Sequence, residues 1–404
     1  MTSEAHGEAK LFGPAMLADP YPVYHTLRSD DPVLWVPSVD AWVVTSYEAV
    51  SAGLRDSRLS SQRFDRIRER LQTKGLGDLA DPAMQSMIHM DAPDHTRLRA
   101  LVVKAFTPKV VDSMEGRIQG MIDGFLGAMK SPGRMDAMDV LAYPLPVTVI
   151  AEMLGIAPED RHRFKQWSDE ISVILSGDVG GLAEADVKRA FEARAELVDY
   201  FRSVVAKNRT GTGSDLLTAL ARAEEGGGRL SEAELYSTAV LILIAGNETT
   251  TNLIGNGLLA LLSHPDQLQK LKDDPSLVAS AVEEMLRYDS PVQMTTRMAK
   301  VDLEIHGTPI KQGQWVYLMI AAANRDPARF PDPDRFDIAR ADNKQIAFGA
   351  GPHFCLGASL ARLEGQLAIR SLLQRFPDLE LGAEKVEYRN NFNLRGLKSL
   401  DVVY

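Results

Sequence analysis

The stretch FGAGPHFCLG, Phe348 to Gly357, holds the only cysteine of the chain, Cys355. Gly349, Gly351 and Pro352 dictate a tight, irregular turn just before it, because glycine reaches left-handed backbone angles without strain and proline suits turns. Beyond the cysteine, Leu360, Leu363, Leu367 and Ile369–Leu373 form an apolar stripe with helical spacing. A cysteine at that boundary faces backbone N–H groups and the positive end of a helix dipole, which favours thiolate. A lone cysteine is most often a small buried hydrophobe. These surroundings point instead to a metal ligand or a nucleophile. One cysteine allows no internal disulfide and no multi-cysteine zinc or iron–sulfur site. A metal held by Cys355 therefore takes its other ligands from elsewhere, and a porphyrin supplies four.

Upstream, a helix is expected from about Ser231 to Ser263. Ser231 with Glu234 three residues on is a capping box. The middle of this segment, TAVLILIAGNETTTNLIGNGLLALL, is apolar all round, so the helix should cross the core. Within it, AGNETT (Ala245–Thr250) places a carboxylate and a hydroxyl where burial is costly without a partner. Two readings stay open from the residues alone. Thr249 can bond back to a carbonyl and bend the helix. Alternatively, Gly246 lets the helix open beside a ligand, and Glu248 and Thr249 form a proton relay.

The remaining sequence is mostly helical in periodicity. Strand signals are confined to Val33–Val36 with Ala41–Thr45, a hairpin around Pro37-Ser38; to a region from about Thr296 to Ala322; and to a possible pair near Val386–Val403. The Gly-rich stretches Ser176–Gly181, Arg209–Ser214 and Glu224–Arg229 read as helix–helix loops. No linker or repeat divides the 404 residues, so one domain spanning 1–404, mainly α with a small β part, is the expectation. The formal charge is −10, with 45 basic and 55 acidic residues and no basic cluster, which argues against nucleic-acid binding. MTSEAHGEAK carries no signal pattern, and no apolar run approaches the roughly 18–20 residues of a membrane span. A soluble, cytoplasmic protein without a membrane partner is expected.

FGAGPHFCLG resembles, position for position, the haem-binding loop of the cytochrome P450 haem-thiolate monooxygenases. The resemblance extends from DPYPVYHTLR (Asp19–Arg28) to NFNLRGLKSL (Asn391–Leu400). It implies the single-domain P450 fold, with the long central helix over a haem b (iron protoporphyrin IX), and Cys355 as its iron ligand. AGNETT resembles the family's oxygen-activation motif, which implies that Thr249 contacts dioxygen and Glu248 delivers protons. Glu284-Met285-Leu286-Arg287, ordinarily a solvated i, i+3 pair, looks like the family's Glu-x-x-Arg pair. Its implied partner is Arg335, and its implied role is structural. His95 and Arg99 in HTRLR, Arg297 and His353 match the family's propionate-pairing positions, while Phe348 and Gly349 complete the haem loop.

The resemblance also implies a pocket from Met84, Met87 and Ile88, from roughly Ile171–Leu182, from Leu243, Ile244 and Ala245, from Val292, Gln293 and Thr295, and from Phe392. That lining is mostly apolar, with methionines that repack around irregular ligands. The implied reaction is hydroxylation or epoxidation of a medium-to-large hydrophobic small molecule with O2. Electrons would come from a ferredoxin-type donor, and the enzyme would be a monomer. A haem peroxygenase is the alternative within the enzyme class, and a non-enzymatic haem sensor the alternative outside it. The intact Glu248-Thr249 pair argues against both. Basic residues expected near the donor surface are Arg97, Lys104, Arg340, Lys344 and Arg362.

Overall fold

The computed structural model describes residues 11–81, 84–129, 133–175, 183–208, 215–222, 224–225, 228–382 and 385–404. Two of the expected Gly-rich loops, 176–181 and 209–214, lie outside the described residues, whereas the third, Glu224–Arg229, is not a plain loop: Glu224–Glu225 and Gly228–Arg229 pair as short antiparallel strands. The chain clusters into two compact units. One comprises residues 1–60, 116–143 and 249–404; the other comprises 61–115 and 144–248. Each draws on separated stretches of sequence, so no single linker could have announced the division.

In the first unit, both ends of the described chain build one five-stranded sheet. Its order is Val33–Val36, Ala41–Val44, Trp315–Leu318, Thr295–Ala299 and Leu59–Ser60. The first two strands form the expected hairpin, with Trp35 opposite Trp42 and their rings edge to face at 5.4 Å. The turn runs through a short 3-10 segment, Pro37–Val39, and closes with Asp40 in the left-handed region. Parallel pairing of Trp315–Leu318 with Ala41–Val44 then joins the N-terminal hairpin to the C-terminal half. One face packs Val33, Val44, Val316 and Leu318 into a buried cluster with Leu54, Leu59 and Ile320.

Two sequence expectations shift. The region Thr296–Ala322 is not strand throughout, because Ile320–Asn324 is helical. Near the C-terminus only Asp401–Val403 is a strand, and it pairs with Glu380–Leu381 and with Arg134–Asp136 rather than forming a hairpin within 386–403. Tyr388 and Leu397 form an isolated bridge. The strand Arg134–Asp136 is three residues long, too short for alternation to register.

The second unit is helical, with Asp94–Val102, Pro144–Met153, Arg161–Leu175 and Glu184–Asn208 among its elements. Phe64, Leu71, Leu76, Ala80 and Val187 form one of its buried clusters, and Met84 packs against it. The long helix, Glu232–Leu262, belongs by residue to both units. Its start is the expected capping box: the Ser231 N–H donates to Glu234 Oε2 at 2.8 Å, and the Glu234 N–H donates to Ser231 Oγ at 3.3 Å. Arg97 also holds Glu234.

Candidate active site

Geometry at the cysteine explains its sequence. Gly349 and Gly351 have φ of +72° and +69°, the region open to glycine. Gly351 is constrained twice, because a Cβ there would lie 2.9 Å from the Leu54 carbonyl oxygen and 3.1 Å from Arg55 Cα. The turn closes when the Cys355 N–H donates to the Phe348 carbonyl at 2.9 Å. Three residues later the helix Ala358–Arg375 begins. Cys355 is half-buried, as is His353, and Phe354 between them is exposed. Phe348 lies under the Arg362 guanidinium at 4.4 Å, and Arg362 is itself ion-paired to Glu283. Arg297 is buried on the strand Thr295–Ala299, where its Nη1 donates to Thr295 Oγ1 and the Thr296 carbonyl.

Among the described residues no group of three or more His, Cys, Asp or Glu side chains could hold a metal. A metal at this thiol must bring its own ligands, as a porphyrin does. A single thiol presented by a glycine-shaped loop, with basic side chains such as Arg297 and His353 in the same unit, is chemically suited to that group. His95 and Arg99 lie on the helix Asp94–Val102 of the second unit, His95 buried and Arg99 half-buried.

The long helix stays α-helical through AGNETT, so Gly246 does not open it. Gly246 is small for a packing reason: a Cβ there would lie 2.9 Å from Ile150 Cδ1. The helix is also not buried all round. Leu241, Ala245, Gly246 and Thr249 are solvent-accessible, Ala245 the most so, while their other neighbours are buried. Positions i, i+4 and i+8 define one face, and that face is the accessible one. Glu248 is buried and its carboxyl is pushed up to about 7, first by burial and then by the negative Asp169, with Lys165 opposing.

The substrate-lining expectations divide. Leu243 and Ile244 are 0% and 2% exposed, turned into the core, so only Ala245 of that trio reaches accessible surface. Gln293 is also buried, and both ends of its amide are taken: Oε1 accepts from the Tyr24 hydroxyl at 2.8 Å and Nε2 donates to the Ser290 carbonyl at 2.6 Å. Gln293 and Phe392 border a void of about 10 Å³, too small for a substrate. Phe392 packs edge to face on Phe12 at 5.6 Å. Val292, Thr295 and Ile88 are half-buried, whereas Met87 and Ile171 are buried. Residues 176–182 of the expected lining lie outside the described residues.

The Glu284–Arg287 pair is wholly buried, but the cation that completes it is Arg340, not Arg335. Arg340 Nε lies 3.3 Å from Glu284 Oε2, whereas Arg335 contributes its backbone carbonyl to Arg287 Nη2 at 3.1 Å. Arg340 thus serves the core. Spacing could not have separated two arginines five residues apart in one irregular segment.

Comparison with known proteins shows the family. The family model for cytochrome P450 matches residues 32–394. The chain belongs to the cytochrome P450 family. It is 42% identical to the vitamin D(3) 25-hydroxylase of Pseudonocardia autotrophica, over 100% of this chain and 98% of that one. It is 41% identical to the 6-deoxyerythronolide B hydroxylase of Saccharopolyspora erythraea, over 95% and 96%. P450BioI, solved with an acyl carrier protein bearing hexadec-9Z-enoic acid, superposes with a TM-score of 0.88 at 37% identity, covering 96% of this chain and 99% of that one. This P450 is accordingly a haem b enzyme and a monooxygenase, an oxidoreductase that acts with O2 on hydrophobic substrates. No helix among its described residues is long and apolar enough to cross a membrane.

Proposed function

We propose that this P450 inserts one oxygen atom of O2 into a C–H bond, or across a double bond, of a medium-to-large hydrophobic small molecule, with the whole chain acting as one domain. The observation that carries the reading is the loop at Cys355. It presents the chain's one thiol at a turn shaped by two left-handed glycines, ahead of an 18-residue helix. Cys355 would hold the haem iron, with Phe348 and Gly349 shaping the loop under it. His95, Arg99, Arg297 and His353 would pair with the propionates, where charge-assisted hydrogen bonds are strong. Bound haem supplies the site at which O2 is reduced and one of its atoms transferred, and a thiolate ligand favours cleavage of the O–O bond.

The other residues act on protons and on the substrate. A carboxyl pushed up to about 7, as at Glu248, both accepts and releases a proton near neutrality. Thr249, next to it on the accessible face, would orient water and the oxygen being reduced. Ala245, with Met87, Ile88, Val292 and Thr295, would contact the substrate. The relatives named as a vitamin D(3) 25-hydroxylase and a 6-deoxyerythronolide B hydroxylase support a bulky apolar substrate class.

Electrons would come from a ferredoxin-type donor, the enzyme working as a cytoplasmic monomer. Of the basic residues expected to greet that donor, Arg340 is withdrawn by its core role. Arg97 and Arg362 are partly engaged by Glu234 and Glu283. Turnover with NADPH, ferredoxin and ferredoxin reductase, after a substrate screen by haem spectral shift, tests the proposal. Product carrying one atom of labelled O2 is expected. Product formed only with peroxide, or no oxidation of any ligand that shifts the spectrum, would overturn it.

A further inference from the structure

The second unit carries a cavity lined by none of the site residues named above, and two arginines on its wall are partnered in opposite ways. The cavity measures about 470 Å³, within the range of small-molecule sites. Its wall comes from Asp81, from the helix Glu184–Asn208 and from the first turns of Glu232–Leu262. All of these residues belong to the second unit.

Arg202 is exposed, yet it holds two carboxylates: Nη1 donates to Asp199 at 2.7 Å and Nε donates to Glu232 at 3.1 Å. Glu232 also accepts from the Tyr236 hydroxyl. Its charge is therefore already answered. Arg194, about two turns earlier on the same helix, is half-buried. Its one hydrogen bond among the described residues goes to a neutral group: Nη2 donates to Ser237 Oγ at 3.1 Å. Burial draws the Arg194 guanidinium down to about 10, and Asp81 opposes this only in part. The group stays charged at neutral pH all the same. A cation withdrawn from water ordinarily takes a carboxylate partner, because an uncompensated charge is costly there. Here the better-buried arginine has the weaker partner. The bond to Ser237 ties two helices together, but a helix clasp explains neither the missing carboxylate nor the space beside it.

The rest of the wall suits an anion with an apolar body. Arg194 offers five N–H donors, and Ser237 takes one. Ser237 itself is buried and brings a hydroxyl to the same spot. Val198, Ala233 and the Tyr236 ring supply apolar surface. Asp81 is exposed, where solvent screens its repulsion of an incoming anion.

We propose that this cavity binds a small molecule with a carboxylate head and an apolar body. The carboxylate lies on the Arg194 guanidinium beside the Ser237 hydroxyl, and the body lies against Val198, Ala233 and Tyr236. The planar fork of arginine matches a carboxylate with two parallel hydrogen bonds. No covalent bond is made or broken. Ser237 stands twelve positions before Thr249 on one helix, about 18 Å along its axis. Occupancy here is therefore read apart from occupancy beside Thr249, and the inference does not rest on the reaction proposed above.

The test is a calorimetric titration of laurate into haem-loaded enzyme whose iron is saturated with a bulky azole, which closes the space beside Thr249. Laurate should bind one to one, and its methyl ester and inorganic phosphate should bind more weakly. Arg194→Gln should weaken laurate by about tenfold or more, the loss expected of a charge-assisted contact. Ser237→Ala should weaken it several-fold. The methyl ester should bind parent and Arg194→Gln alike. If Arg194→Gln does not load haem, Arg194→Lys is read in its place; it keeps the charge, loses the fork and should weaken laurate several-fold. Absence of laurate binding to the parent, equal laurate affinity in the parent and the Arg194 variant, or a preference for phosphate over laurate would each overturn the proposal.

Discussion

Arg287 grips Glu284 with two parallel hydrogen bonds, Nε to Oε2 and Nη2 to Oε1, both 2.8 Å, and neither side chain has any exposed surface. The remaining valences are met as well. Arg287 Nη1 donates to the carbonyls of Asn324 and Pro333, while Glu284 accepts from the Asp337 N–H, Arg340 and Asn343. Two side chains thereby fasten the irregular segment 324–343 to the helix Val278–Tyr288. Removing the carboxylate strands the buried Arg287 guanidinium and takes a partner from the half-buried Arg340. Glu284→Ala should therefore cost about 3–5 kcal/mol, read as a lowered urea midpoint and a low yield of haem-loaded protein. Holoprotein of parental stability would place the network outside the folding core.

Cys355→Ser should abolish the red-shifted Soret band that reduced thiolate-ligated haem shows with carbon monoxide, because a hydroxyl is a poor anionic ligand. The spectrum of the reduced carbon monoxide complex checks this. Survival of the parental band would move the iron ligand elsewhere.

Thr249→Ala should leave the haem content and the substrate-induced spectral shift intact. The hydroxyl lies on the accessible face of the long helix and is not needed to keep that helix continuous. Product per NADPH should fall several-fold while peroxide rises. Parental coupling would leave Thr249 without a part in oxygen activation.

Glu364 is buried in the helix Ala358–Arg375, its Oε2 lacks a hydrogen-bond partner, and burial pushes its carboxyl up to about 8. The native state then holds a proton that the unfolded chain releases near 4.5. Where a native group binds the extra proton, stability declines as pH rises. The contribution of Glu364 is thus fully present below about 4.5 and is lost on rising through about 8. At about 1.4 kcal/mol per pH unit the total is on the order of a few kcal/mol. Glu364→Gln, a neutral mimic of the acid, should be more stable than the parent at pH 9 and show a flatter stability profile between pH 5 and 9. Equal slopes for the two proteins in denaturant titrations would contradict the buried neutral acid.

Raising salt toward 0.5 M shortens the Debye length to a few ångströms. It should raise the ferredoxin concentration needed for half-maximal turnover, as should Arg362→Glu, with substrate binding unchanged. Salt-independent reduction kinetics would exclude electrostatic docking of the donor.

Much of the chemistry was legible where it is local. The turn at Gly349 and Gly351, the helix after Cys355 and the box at Ser231 and Glu234 depend on residues within a few positions of one another, and each stands where spacing put it. The hairpin at Val33–Val44 was legible for the same reason. One of the two readings left open for AGNETT had the helix opening at Gly246; the helix is continuous there, and Gly246 is a packing contact with Ile150, almost one hundred positions away. Gln293 and Phe392 were read as pocket lining, and they serve the packing of the N-terminal segment around Tyr24 and Phe12. Arg335 was read as the partner of Glu284, and the side chain that arrives is Arg340's.

By itself, then, the sequence determined the turn that presents Cys355, the long capped helix, and the mainly helical class, because those properties are written in steric and hydrogen-bonding preferences over one or two turns of chain. Only the tertiary structure decided which face of the long helix is open, which arginine neutralises Glu284 and that Asp169 acts on Glu248. These depend on contacts between residues far apart in sequence, where the energy of burying or pairing a group is set by neighbours that no local pattern specifies.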